Sequence, residues 1–381
     1  MLAIINGHVL TITRGELNPG VVLIEGKKIK AVGRDLPIPP EAEVIDASGW
    51  YVMPGMIDAH SHLGVLGEPW IWSHDDVNEL VDPVTPHLRA IDSLNPDDVA
   101  IQEVVAAGIT TVYTGPGSGN VVGGTGIAIK LRGATADEMV IPNTEGMKMA
   151  LGENPKRVYG RDQKKAPATR MGNAGLIRES LVKAENYLQK KPEGERDIRL
   201  EALSKVLTRE LKARIHAHRA DDILTALRIG EEFNLDVVIE HATEGYKVAE
   251  ILAEKQVPCV VGPLLMGRSK AELQEVNIRN AAILAQAGVK IAIQVDATSE
   301  TRWLPIEVGV AIREGLPEEE AFRAVTINPA AIIGVEDRLG SIEPGKDADL
   351  ALFDGHPFET RSRCRMVLID GEVVHRYLSD R

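Results

Sequence analysis

Between two β-rich ends, this chain alternates short apolar strands with helical segments, and no other feature restricts its fold so much. The strands read as Thr110–Thr114, Ile127–Leu131, Gly146–Leu151, Ala213–Ala217, Val237–His241, Val257–Val261 and Lys290–Val295, following one that ends near His60. Helical spacing covers Pro96–Ala107, roughly 172–190 and 198–211, Asp222–Glu232 and Asn277–Ala287. Strand and crossover helix in turn predict an eight-stranded (β/α)8 TIM-like barrel with parallel strands; an open doubly wound sheet is the alternative. Both ends lack helical spacing. Ala3–Ile12, Val21–Glu25, Lys28–Val32 and Glu43–Ile45 lead the barrel, and Ala348–Phe353, Arg365–Ile369 and Glu372–His375 follow it. Residues 1–53 and 339–381 are therefore expected to build one small β domain beside the barrel of residues 54–338.

Composition removes several classes of function. With 44% hydrophobic and 26% charged residues in 381, the chain reads as an ordinary globular protein with a large core. No run of about 18 apolar residues occurs, and the apolar start Met1–Gly7 lacks the basic residues of a signal peptide, so a cytoplasmic location and no membrane partner are expected. Cys259 and Cys364 have no metal-type spacing and are expected as reduced, buried thiols. A net charge of −13 opposes binding to nucleic acid. The glycine-rich stretch Gly115–Gly126 lacks the Gly-Lys-Ser/Thr ending of a phosphate loop and leads to a strand, not a helix. The expected partners are a small-molecule substrate and a second copy of the chain.

The polar residues that interrupt this pattern fall at strand ends. In Pro54-Gly55-Met56-Ile57-Asp58-Ala59-His60-Ser61-His62 a strand places Asp58, His60 and His62 on one face, so two imidazoles converge. His216, His241 and Asp296 close three later strands. A lone strand-end histidine is ordinarily a hydrogen-bonded core or surface residue. Four histidines and an aspartate at the carboxyl ends of four barrel strands, where catalytic groups sit on this fold, instead suit one or two divalent ions, zinc above all. In Gly146-Met-Lys-Met-Ala-Leu151 the outer face carries Met147, Met149 and Leu151, so Lys148 points into the barrel. Burial disfavours its charged form, and a neutral amine can add carbon dioxide to give a carbamate that bridges two ions. Glu145 is the substitute bridge, although alternation puts it on the opposite face.

Taken together, Pro54–His62, His216, His241, Asp296 before Ala-Thr-Ser-Glu, and Gly340-Ser-Ile-Glu-Pro-Gly-Lys-Asp-Ala-Asp-Leu350 make the chain resemble the amidohydrolase superfamily over essentially its whole length. Gly115-Pro-Gly-Ser, the paired glycines before Ile127 and His216-Ala-His-Arg-Ala-Asp-Asp222 look most like the group related to imidazolonepropionase and metal-dependent dipeptidases of prolidase type. The resemblance implies a barrel flanked by a β-sandwich from both termini. It also implies His60, His62, His216 and His241 as metal ligands and Asp296 as the catalytic aspartate. On that reading His60 and His62 hold one ion and His216 and His241 the second. Carbamylated Lys148 bridges them, and Asp296, itself counted among the ligands, acts as base and then acid. His218 stands where relatives often carry an acidic or hydroxylic side chain. With Arg219 and Trp72 it is assigned to substrate; Arg161 and Arg170 are further candidates to grip a carboxylate. The expected reaction is hydrolysis of a C–N amide bond in an N-acyl amino acid, a dipeptide or a cyclic amide. The alternatives are a single-metal imidazolonepropionase-like or deaminase-type hydrolase, and an inactive scaffold.

Overall fold

The computed structural model describes residues 1–190 and 195–377. Its described residues form sixteen strands. The amino end supplies β1 (Leu2–Leu10), β2 (Glu16–Glu25), β3 (Lys28–Gly33), β4 (Glu43–Asp46) and β5 (Tyr51–Pro54). The middle supplies β6 (Met56–Ser61), β7 (Ile109–Thr114), β8 (Val122–Lys130), β9 (Gly146–Ala150), β10 (Lys212–Ala217), β11 (Val237–His241), β12 (Cys259–Val261) and β13 (Ile291–Ile293). The carboxyl end adds β14 (Leu350–Phe353), β15 (Cys364–Ile369) and β16 (Glu372–Arg376).

Strands from the two ends pair in the order β16-β15-β14-β5-β1-β2-β3, with β4 on β1. The hinge of this arrangement is β5, which runs parallel to β1 and antiparallel to β14. Both termini therefore share one continuous sheet, and its ladder does not divide into two separately paired layers. Its apolar face buries Ile4, Val22, Ile24, Val52, Leu350 and Leu368 together. Asp370 and Gly371 both have positive φ, 52° and 74°, as the tight hairpin between β15 and β16 requires.

The second sheet runs β6 to β13 in sequence order. Alternation divides it: Met147, Ile215, Ile239, Val261 and Ile293 belong to the main core with the surrounding helices, while Ala59, Val238, Val260 and Ala292 form a separate cluster within the barrel. The sheet curls until its edges meet. His62 N donates to Ala297 O at 3.0 Å, Val295 N donates to the buried Asp58 carboxylate at 3.2 Å, and Ile57 N and Ile293 N donate to the carbonyls of Val325 and Ala324. Closure thus depends on a carboxylate and a loop in place of a strand ladder. Burial pushes the Asp58 carboxyl up to about 7.

One strand departs from the expected parallel barrel. β8 is antiparallel to both β7 and β9. The glycine-rich stretch is too short to hold a crossover helix, and without one the chain can only turn back. Gly123, Gly124 and Gly126 lie inside β8 itself, and a side chain at Gly126 would meet the Tyr113 ring and the Thr114 carbonyl. Elsewhere the helices follow local signals. Asp98 caps Val99–Ala106 by accepting from Ala100 N at 2.8 Å, and Gly108, at φ 92°, follows its end. Cys259 and Cys364 are free and buried. No described helix is long and apolar enough to cross a membrane.

Candidate active site

The carboxyl end of the barrel gathers five histidines, Asp296 and Lys148. His60 and His62 project from the end of β6, and Asp296 follows β13. Asp296 Oδ1 lies 3.0 Å from His60 Nε2 and 3.2 Å from His62 Nε2. Lys148 Nζ, buried on β9, lies 3.4 Å from His60 Nε2. Across the barrel, His216, His218 and His241 pack ring against ring, with centroids 4.5 to 4.7 Å apart. The His60 and His241 rings are 5.1 Å apart, joining the two clusters. Among the described residues, His60, His62 and Asp296 make one group able to hold an ion, and His216, His218 and His241 make another.

The imidazoles are aimed by what their other nitrogens touch. His62 Nδ1 donates to Gly115 O at 2.8 Å and His241 Nδ1 to Gly262 O at 2.9 Å, since a carbonyl can only accept. His218 Nδ1 pairs with Thr243 Oγ1 at 2.7 Å, and His60 Nδ1 faces Glu240 Oε2 at 2.9 Å. Three rings are thus hydrogen-bonded through Nδ1 and His60 faces a carboxylate there, which leaves Nε2 toward the interior, the tautomer a metal-binding imidazole needs. His216 is buried with neither ring nitrogen hydrogen-bonded. A buried polar atom without a partner is costly, and an ion is the ligand this donor set fits.

Backbone conformation completes the cluster. Glu240 shares the inward face with Val238, so strict alternation would turn His241 toward the outer helices. A left-handed φ of 68° at His241 turns it inward, and Asp296 has φ 56°. Such conformations in residues other than glycine persist only where surrounding structure holds them.

Electrostatics separate the roles. Burial would raise the Asp296 carboxyl, but His241, His60 and His62 more than reverse this and hold it well below the usual carboxylate range. Burial lowers Lys148 to about 8. It also lowers His241 to about 4, and burial, the crowding of the imidazoles on one another and the nearby Lys270 ammonium push His216 and His218 well down. These rings are neutral near pH 7 and free to ligate.

The remaining expected residues lie farther out. Trp72 is 93% exposed in the short turn Trp72–His74, whereas Trp70 donates from Nε1 to Thr298 Oγ1 at 3.2 Å beside the Asp296 loop. Arg219 spends its fork on Asp221 at 2.9 and 2.8 Å, Arg161 pairs with Asp162, and Arg170 with Asp222. Glu145 is exposed before β9. Two carboxylates escaped the sequence reading. Glu240 is fully buried between His60 and Arg214, and Glu272 is fully buried beside His216 and His218. Alternation from Val238 could have revealed the first; nothing periodic marks the second.

Comparison with known proteins gives the same frame. The profile of the amidohydrolase family matches residues 51–374. A crystal structure of an amidohydrolase from Thermotoga maritima superposes with a TM-score of 0.95 at 44% identity, covering 99% of this chain and 100% of that one. Amidohydrolase tasK of Hapsidospora irregularis is 29% identical across 92% of this chain, which spans 39% of that protein's length. An imidazolonepropionase of Fusobacterium nucleatum is 24% identical across 88% of this chain and 85% of its own.

Proposed function

This chain belongs to the amidohydrolase family, and from that premise we propose that it is a metal-dependent hydrolase cleaving a C–N amide bond in a small substrate: an N-acyl amino acid, a dipeptide or a cyclic amide. The observation that carries the reading is the set of histidines tethered through Nδ1 around Asp296, in two groups on one barrel end. His60 and His62, with Asp296, would hold one divalent ion, zinc by the nitrogen and carboxylate donors. His216 and His241 would hold a second, and His218, which sequence alone assigned to substrate, joins them. When bound, such an ion lowers the pKa of water to about 7 and polarises a substrate carbonyl.

The chain's own groups supply the rest. Asp296, kept ionised by the imidazoles around it, can accept a proton from the attacking water and return it to the departing nitrogen. Glu240 and the Gly115 and Gly262 carbonyls keep the rings from rotating. Lys148, buried and lowered to about 8, has a neutral fraction near pH 7 that can add carbon dioxide and lie between the two groups as a carbamate. Trp72 and Arg219 are proposed substrate contacts at the mouth; Arg219 would first have to leave Asp221.

The test is metal content per chain, by mass spectrometry, of wild type and Lys148→Ala prepared with zinc and bicarbonate. Two equivalents falling to one or fewer in the variant would support the bridged pair and direct screening to dipeptides and N-acyl amino acids. One equivalent in both would favour the single-metal reading and would direct it to cyclic amides and deaminations. No metal in either would overturn the proposal.

A further inference from the structure

Glu272 comes from the loop between β12 and the helix Asn280–Gln286. Its side chain is fully buried, and its two oxygens have different surroundings. Oε2 accepts from Glu153 N at 2.9 Å, while Glu272 N donates to Glu153 Oε2 at 3.1 Å, a reciprocal clasp between two loops at the barrel mouth. Oε1 is held by no backbone donor; its close partner is the Lys270 ammonium. It lies 3.6 Å from His218 Nε2 and 3.8 Å from His216 Nε2, with the Lys270 ammonium 2.7 Å away.

The distances to the imidazoles are too long for hydrogen bonds. They are the spacing of atoms that share an ion: two donors 2.0–2.2 Å from one metal, at angles between tetrahedral and trigonal, lie about 3.3–3.8 Å apart. His216, buried with both ring nitrogens unpartnered, independently calls for a ligand at this place. A cation already sits there, because Lys270 brings its ammonium to Oε1 from a partly exposed position.

We propose that Glu272 is a carboxylate ligand of the ion held by His216 and His218, with Lys270 as a tethered cation that the ion displaces. This rests on the metal-dependent reading above and adds to it a donor from outside the barrel strands. The loop after β12, held at the barrel mouth by Glu153, would then contribute a metal donor of its own.

The test uses the full-length protein with Zn2+ or Co2+ alone and no substrate. Affinity is measured by competition with a chromophoric chelator, and the ligand set by the visible spectrum of the Co2+ form. Glu272→Gln keeps an oxygen for Glu153 N and should weaken one ion by tenfold or more and change the Co2+ spectrum. Lys270→Met removes the competing cation and should tighten the same ion. Wild-type affinity and spectrum in Glu272→Gln would overturn the inference. So would equal weakening in Lys270→Met, which would mark a structural ion pair. Should Glu272→Gln fail to fold, Lys270→Met decides alone: tighter binding supports the ligand and weaker binding overturns it. A wild type that binds no metal would instead defeat the underlying reading.

Discussion

Glu240 Oε2 lies 2.9 Å from Nδ1 of His60, while Oε1 receives Arg214 Nε at 2.6 Å, and all three side chains are buried. The guanidinium in turn stacks 3.7 Å from the Tyr113 ring centre. Burial would raise the Glu240 carboxyl, yet Arg214 and His60 hold it far below the usual carboxylate range. A charged carboxylate on Nδ1 keeps a proton there and leaves Nε2 as the ligand atom. Glu240→Gln is therefore expected to weaken zinc binding about 10–100-fold, measured by chelator competition. Glu240→Ala, which strands Arg214, should also cost about 3–5 kcal/mol in urea unfolding.

Asp296→Asn preserves shape and hydrogen-bonding reach but removes the basic oxygen. On any amide found in the substrate screen, kcat should fall about 10²–10⁴-fold with a far smaller change in KM. A KM effect alone would place Asp296 in binding rather than proton transfer.

Gly262 links the site to the backbone. Its carbonyl holds His241 Nδ1 and its φ is 135°. A side chain there would strike the Gln294 carbonyl oxygen, and L residues rarely adopt that φ. Gly262→Ala should cost more than about 2 kcal/mol in urea unfolding and lose the His241 ion first, read as a drop in metal content before any loss of far-ultraviolet circular dichroism.

The contact between β8 and the terminal sheet predicts a pH dependence. Lys130 on β8 reaches Asp347 at 2.9 Å, Asp349 at 3.1 Å and Asp370. Burial raises the Asp349 carboxyl to about 6 despite the lysine. The folded state therefore binds a proton that the unfolded state has released between pH 4 and 6, so stability from this group falls as pH rises through that window. The unfolding free energy of the wild type minus that of Asp349→Asn should drop by about 2 kcal/mol between pH 4 and 7. A flat difference would show that Asp349 is charged throughout.

Local sequence determined whatever depends on local geometry. The two-residue period placed His60 and His62 side by side and turned Lys148 inward, because side-chain direction in a strand is a property of adjacent residues. Strand-and-helix alternation announced a barrel, and the Asp370-Gly371 pair announced a hairpin. Tertiary structure decided the rest. Alternation alone would have sent His241 outward, and only the packed barrel holds the left-handed backbone that brings it in. The antiparallel β8 follows from a connection with no room for a helix. Glu272 reaches His216 and His218 because its loop is clasped to Glu153, and Trp72, near the site by its place after the His60 strand, is left largely exposed. Periodicity reports which face of an element a residue occupies; it says nothing of which loops from distant strands meet over a site, since that depends on barrel closure and on the charges burial forces into contact.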